Sequence, residues 1–147
     1  MTATLFLEIF ERDIKKLKEE ISAYKNEADL WKLEKGIANS AGTLALHLTG
    51  NLNHFIGAVL GKSGYVRERD KEFSERNAPR EKLIAGIDSA AKAVHETMSK
   101  LQDADLAGDF PIEFMGQRKT IQVLIILVAH LNYHLGQINY HRRLLAS

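Results

Sequence analysis

From Lys119 to Leu145 the chain contains no proline and a single glycine, Gly136. The segment opens with β-branched residues (Ile121, Val123, Ile125, Ile126, Val128) that would suit a strand. Its length decides otherwise: more than 25 residues exceed any ordinary strand, so the segment is read as a helix. Three further segments carry a helical period. Phe10, Ile14, Leu17, Ile21 and Tyr24 step by four, three, four and three, with Glu11, Lys15, Lys16 and Glu19 on the other side. A second helix is expected from about Ala38 to Leu60, with Asn39 or Ser40 as N-cap and Gly61 as stop. A third follows Pro79 and repeats Leu83 and Ile84, Ile87, Ala91, Val94, Met98 and Leu101.

These segments predict an all-α fold, a four-helix bundle occupying residues 1–147 as one domain. A chain of 147 residues is long enough to bury a full core. The connections refine the topology. Residues 61–79 form a long link whose charged run (Arg67 to Lys71, Glu72, Glu75, Arg76) reads as a solvated loop. Residues 103–118 form a second link with Gly108, Pro111 and Gly116. Tight turns of an up-down bundle need roughly 2–8 residues, so the first link is expected to cross over along the bundle between helices two and three. Gly50, Gly57 and Gly61 of the second helix would permit close helix approach.

Composition narrows the function. A formal charge of +1, with no basic stripe interleaved with aromatics, gives no reason to expect nucleic acid or an anionic membrane as partner. Leu5-Phe6-Leu7 is broken at once by Glu8, so no signal peptide is expected, and the longest apolar run, Val123 to Ala129, is only seven residues. The expected location is the cytoplasm, without membrane association. Cysteine is absent, which excludes disulfides, Cys-ligated zinc and a cysteine nucleophile. Any thiol chemistry would need a thiol brought from outside.

His130 and His134 are four residues apart, so on a helix both imidazoles share one face and can share one ion. His47 sits in the second helix within Leu44-Ala45-Leu46-His47-Leu48. In a bundle these three histidines are the candidate ligands of a single divalent metal. The helices that carry them are nearly free of acid: no Asp or Glu lies between Glu34 and Glu68 or after Glu113. That excludes a ferritin-like di-iron centre, and Leu131 stands where a zincin would place its general-base glutamate. Three neutral imidazoles leave the ion's charge uncompensated, a strong Lewis acid that favours hydroxide or an external thiolate as further ligand. Gln137, one turn beyond His134, is a candidate to orient it. His54 and His141 lie two turns from His47 and His134, too far for the same ion, and are read as bundle-facing or surface residues, with a second site as the alternative. His95 is read as a surface residue, and Tyr133 and Tyr140 as packing residues.

Taken together, Asn39-Ser40-x6-His47-Leu48-x2-Asn51, Arg69-Asp70-Lys71-Glu72-Phe73 and His130-x3-His134-x-Gly136-Gln137-Ile138 resemble the DinB/YfiT-like superfamily of metalloenzymes. The likeness spans about Leu5 to Leu145 and comes nearest to an uncharacterised branch with an Arg-Asp-x-Glu-Phe signature after helix two. It implies a four-helix bundle with a long crossover, often a homodimer. It also implies a divalent ion (zinc, nickel or manganese) on the positions of His47, His130 and His134. Relatives of that kind include S-transferases that use bacillithiol or mycothiol, and a maleylpyruvate isomerase with the same thiol dependence. The expectation that follows is a metal-dependent enzyme acting on a small molecule, a thiol S-transferase of stress or detoxification. The alternatives are a metal-dependent hydrolase and a non-catalytic dimeric bundle with a structural ion. The Arg69–Phe73 segment is expected to tie the crossover to the bundle through ion pairs and burial of Phe73.

Overall fold

The computed structural model describes residues 1–147. It is all-helical, with no strand beyond an isolated bridge between Asp109 and Lys119. Helix α1 spans Thr2–Ala23, and its period extends two turns upstream of Phe10, since Ala3 and Phe6 are buried with Phe10, Ile14, Leu17 and Ile21. After a 3₁₀ turn at Glu27–Trp31, α2 spans Ala41–Leu52. Of the two N-cap candidates, Ser40 takes the role, its hydroxyl accepting the Thr43 N–H at 3.2 Å. Residues Asn53–Leu60 continue α2 with wider π-type turns, ending where Gly61 donates to the Ile56 carbonyl at 2.9 Å. Next come α3 (Arg69–Ser74), α4 (Arg80–Met98), α5 (Asp103–Leu106) and α6 (Thr120–Leu145).

The direction of each helix can be read from its partners. Glu11 meets His95 and Lys18 meets Asp88, so α1 and α4 are antiparallel. Asp13 accepts from Asn132 at 2.6 Å and Glu20 from Asn139 at 2.7 Å, so α1 and α6 are parallel. Thr49 packs at Gly86, Gly57 at Ala93 and Gly61 at Thr97, so α2 and α4 also run the same way. The result is an up-down-down-up bundle of α1, α2, α4 and α6. Two parallel neighbours cannot be joined by a tight turn, so residues 61–79 travel the length of the bundle as the expected crossover.

One expectation needs correcting. The charged link is not wholly a solvated loop: it folds into α3, whose Glu72 is only 7% exposed. A helix of six residues is too short to show a hydrophobic period, and a buried glutamate reads as a surface charge. Gly50, Gly57 and Gly61 do permit close approach, within the chain, against Glu72, Ala93 and Thr97.

One continuous cluster of buried apolar side chains runs through all four long helices. Helix α6 is long and apolar enough to cross a membrane by length and composition. In the bundle part of that apolarity goes to the core, through Val123, Leu124, Leu127, Leu131, Leu135 and Ile138, while Ile125, Tyr133, Tyr140 and Leu144 stay exposed. On one side of this core stripe, Asn132, Asn139 and Arg142 are fastened to α1. The rotation this fixes turns His130 and His134 toward α2.

Candidate metal centre

His47 projects from the middle of α2 and is 7% exposed, while His130 and His134 project from α6 and are half-buried. One ring nitrogen from each falls within 4.8 Å of the others. His47 Nε2 and His130 Nε2 stand 3.0 Å apart. An ion 2.0–2.1 Å from each of three nitrogens in tetrahedral geometry holds them about 3.3 Å apart, so the cluster brackets the spacing required. The His47, His130 and His134 rings meet nearly edge-on, at interplanar angles of 82–89°.

Hydrogen bonds aim two of the rings. Glu72 Oε1 accepts from His47 Nδ1 at 3.1 Å, which leaves the Nε2 lone pair facing the cluster. Gln137 Oε1 accepts from His134 Nδ1 at 2.7 Å, the contact expected from its position one turn on. Glu72 is in turn gripped by Arg67, whose Nε and terminal nitrogen each lie 2.9 Å from a carboxylate oxygen. Burial pushes the Glu72 carboxyl up, but the hydrogen bonds from His47 and Arg67 outweigh it and hold the group below the usual carboxylate range. Arg67 also neutralises Glu72, so the three imidazoles remain a donor set without net negative charge. Phe73, next along α3, packs its ring 4.8 Å from that of His47. The Arg69–Phe73 segment therefore does tie the crossover to the bundle, and it does so at the histidine cluster.

Burial, reinforced by His134, His47 and Arg67, lowers His130 to about 4. Burial lowers His134 as well, partly opposed by its bond to Gln137. Both are therefore neutral near pH 7, as metal ligation requires. This carries a consequence for stability. An unfolded histidine titrates near 6.5, so as pH falls the unfolded chain takes up the proton before folded His130 does. Without metal, stability is expected to be intact above pH 6.5 and to decline as pH falls toward about 4. Denaturant titrations in a chelator across that window check this, and His130→Gln should flatten the decline. An equally steep profile in the variant would contradict it.

The other sequence candidates lie apart. Both ring nitrogens of buried His141 are engaged, with the Tyr24 hydroxyl at 2.7 Å and the Lys32 carbonyl at 2.9 Å, so it clasps the α1–α2 link to α6 and is no ligand of a second site. His54 leans on Phe55, its rings 4.7 Å apart, and burial lowers its pKa. His95 pairs with Glu11 on the surface. Tyr133 and Tyr140, expected to pack, are instead 66% and 61% exposed, because α6 presents them outside the core stripe.

Clefts flank the cluster on both sides. One, of about 460 Å³, is lined by His47 and His130 together with Asn51, Phe55, Arg67 and Phe114. The other, of about 530 Å³, is lined by His134 and Gln137 together with Tyr133, Tyr140 and Leu144. Sequence reasoning placed Arg67 in the solvated charged run and gave it no part in the site. It also missed the contact of Glu72 with His47, although the Arg-Asp-x-Glu-Phe motif marked the segment.

Fold and site together define an all-helical bundle with a cluster of histidines able to hold one ion. By sequence, residues 2–147 match the model of a family described as a protein of unknown function, DUF1572, and the chain belongs to that family. Comparison with curated proteins gives no match.

Proposed function

We propose that this chain is a DinB/YfiT-like metalloenzyme in which His47, His130 and His134 hold one divalent ion, zinc, nickel or manganese. We read its activity as transfer of an external thiol to a small electrophile, in stress or detoxification. The observation that carries the reading is the convergence of three imidazole nitrogens within 4.8 Å between two clefts. Three protein ligands beside open space are the donor set of catalytic sites, whereas structural zinc sites take four. The ion would supply Lewis acidity, enough to deprotonate a thiol that reaches it.

The preference for a thiol over water rests on the family likeness, because the ion would ionise either nucleophile. Glu72, the carboxylate that touches the cluster, is committed to His47 and Arg67, whereas Glu113 lines the cleft beside His47 and His130. With no cysteine in the chain, the thiol comes from outside. Its sulfur bonds to the electrophilic carbon, the leaving group departs, and the thiol proton passes to solvent. A homodimer and a cytoplasmic location belong to the same proposal, and exposed Tyr133, Tyr140 and Leu144 offer an apolar face for pairing.

The test is elemental mass spectrometry of the purified protein, followed by assays of the metal-loaded chain with low-molecular-weight thiols and electrophiles. About one ion per chain and conjugate formation that needs both metal and thiol are the expected result. Turnover of esters or amides without thiol would replace the transferase by a hydrolase. No bound ion, and no uptake of zinc, nickel or manganese, would end the metalloenzyme reading.

A further inference from the structure

The outward nitrogens of His47 and His134 are each bonded to an acceptor, Glu72 and Gln137. That of His130 is not: its Nδ1 is buried with no partner in the protein. Two more buried atoms share this condition, Arg80 Nε at the start of α4 and Oδ1 of Asn51. Asn51 lies one turn beyond His47 on α2, is 7% exposed, and lines the same cleft as His130 and Leu127. Buried polar atoms without partners are uncommon and costly, and two on one cleft call for a single explanation.

Proton placement supplies it. The 3.0 Å contact between His47 Nε2 and His130 Nε2 needs one proton between two nitrogens. Glu72 fixes the His47 proton on Nδ1, so His130 must donate from Nε2. That tautomer leaves His130 Nδ1 a bare acceptor, and Asn51 Oδ1 is also an acceptor, so the two cannot bond. Ligation through Nε2 reverses the tautomer: the Nε2 proton leaves to solvent, and Nδ1 takes one from solvent and becomes a donor.

We propose that Asn51 is the positioning residue of His130, its Oδ1 accepting the Nδ1–H of that ring when Nε2 binds an ion. Each of the three ligands then has its own orienting oxygen, from Glu72, Gln137 and Asn51. The inference rests on the metal-binding reading above and adds a coupling, in which ion binding switches the His130 tautomer and closes a hydrogen bond between α2 and α6.

Zinc alone is the probe. Long-range ¹H–¹⁵N correlation of the imidazole nitrogens in the intact chain should show His130 passing from the Nε2–H to the Nδ1–H form on addition of zinc, while His47 stays Nδ1–H throughout. Competition titration should show zinc affinity weakened about 10–100-fold in Asn51→Leu. Asn51→Asp keeps the acceptor and should keep both the affinity and the slowed Nδ1–H signal, whereas Asn51→Leu, similar in volume but without an acceptor, should lose both. Where Asn51→Leu fails to fold, the hydrogen bond itself is read in the zinc-bound wild type, as a downfield shift and slowed solvent exchange of the His130 Nδ1–H. A His130 Nδ1–H that stays in rapid exchange with solvent in the zinc-bound wild type, or equal affinity in Asn51→Leu and wild type, overturns the role of Asn51 and leaves the metal site standing. No zinc bound by the wild type overturns both.

Discussion

Zinc affinity is expected to fall by about a hundredfold or more in each of His47→Ala, His130→Ala and His134→Ala, whereas the stability of the metal-free chain should respond unequally. Four-ligand zinc sites are worth about 10–16 kcal/mol, or roughly 3 kcal/mol per ligand, and each 1.4 kcal/mol is tenfold in affinity. The apo effects follow from the surroundings of each ring. His134 is half-buried on a helix face and bonded only to Gln137 three residues on, so alanine costs little there and gains helix propensity. His47 is 7% exposed, and its removal strips Glu72 of one donor and leaves a gap beside Phe73. Its loss should cost about 1–3 kcal/mol. Chelator competition gives the first quantity and denaturant unfolding in a chelator the second. If the two rank the variants in the same order, the histidines act through the fold. Affinity kept in His134→Ala would remove that ring from the site.

The same contrast explains what the sequence disclosed. Helices α1, α2, α4 and α6 were legible because each repeats its apolar residues over several turns, and the crossover because 61–79 is too long for a turn. His130 and His134 share a helix face by spacing alone, and Gln137 follows at the next turn. His47 joined them through its place on another long helix. Glu72 and Arg67 could not be found this way: they reach His47 only because the crossover folds back over α2. No periodicity encodes that return, and α3 is six residues long. A trace remained in Gly50, where a Cβ would collide with the Glu72 carboxylate, so this glycine admits α3 to the site. By spacing alone Gly50 reads only as a site of close helix approach. The seven-residue spacing of Tyr133 and Tyr140 shows only that the two share a face, and not which face is buried.

Glu72→Ala is expected to be the most damaging single change outside the core, lowering stability by about 3 kcal/mol. The carboxylate is the shared acceptor of Arg67 and His47, and both it and Arg67 are largely out of water, their side chains 8% and 11% exposed. Removing it leaves a guanidinium without its counter-charge and an imidazole N–H without its acceptor. Breaking a buried pair costs about 3–5 kcal/mol, and the low end applies because Arg67 is close enough to the surface to swing outward. Zinc affinity should fall about 10–100-fold besides, since His47 loses the group that fixes its tautomer. Two companion variants separate charge from contact. Glu72→Gln can still accept from His47 Nδ1 and should keep most of the affinity while losing stability through unpaired Arg67. Gly50→Ala removes no charge, but its methyl group occupies the place of the carboxylate and should displace α3, lowering both quantities. The pH dependence has a definite sign: Glu72 lies below its ordinary range when folded, so its contribution is present at neutral pH and is lost as pH falls through the carboxylate range. Wild-type stability and affinity in Glu72→Ala would show that the crossover merely covers the histidines. Loss of both in Glu72→Ala and Gly50→Ala, with affinity spared in Glu72→Gln, would show that α3 is what aims His47.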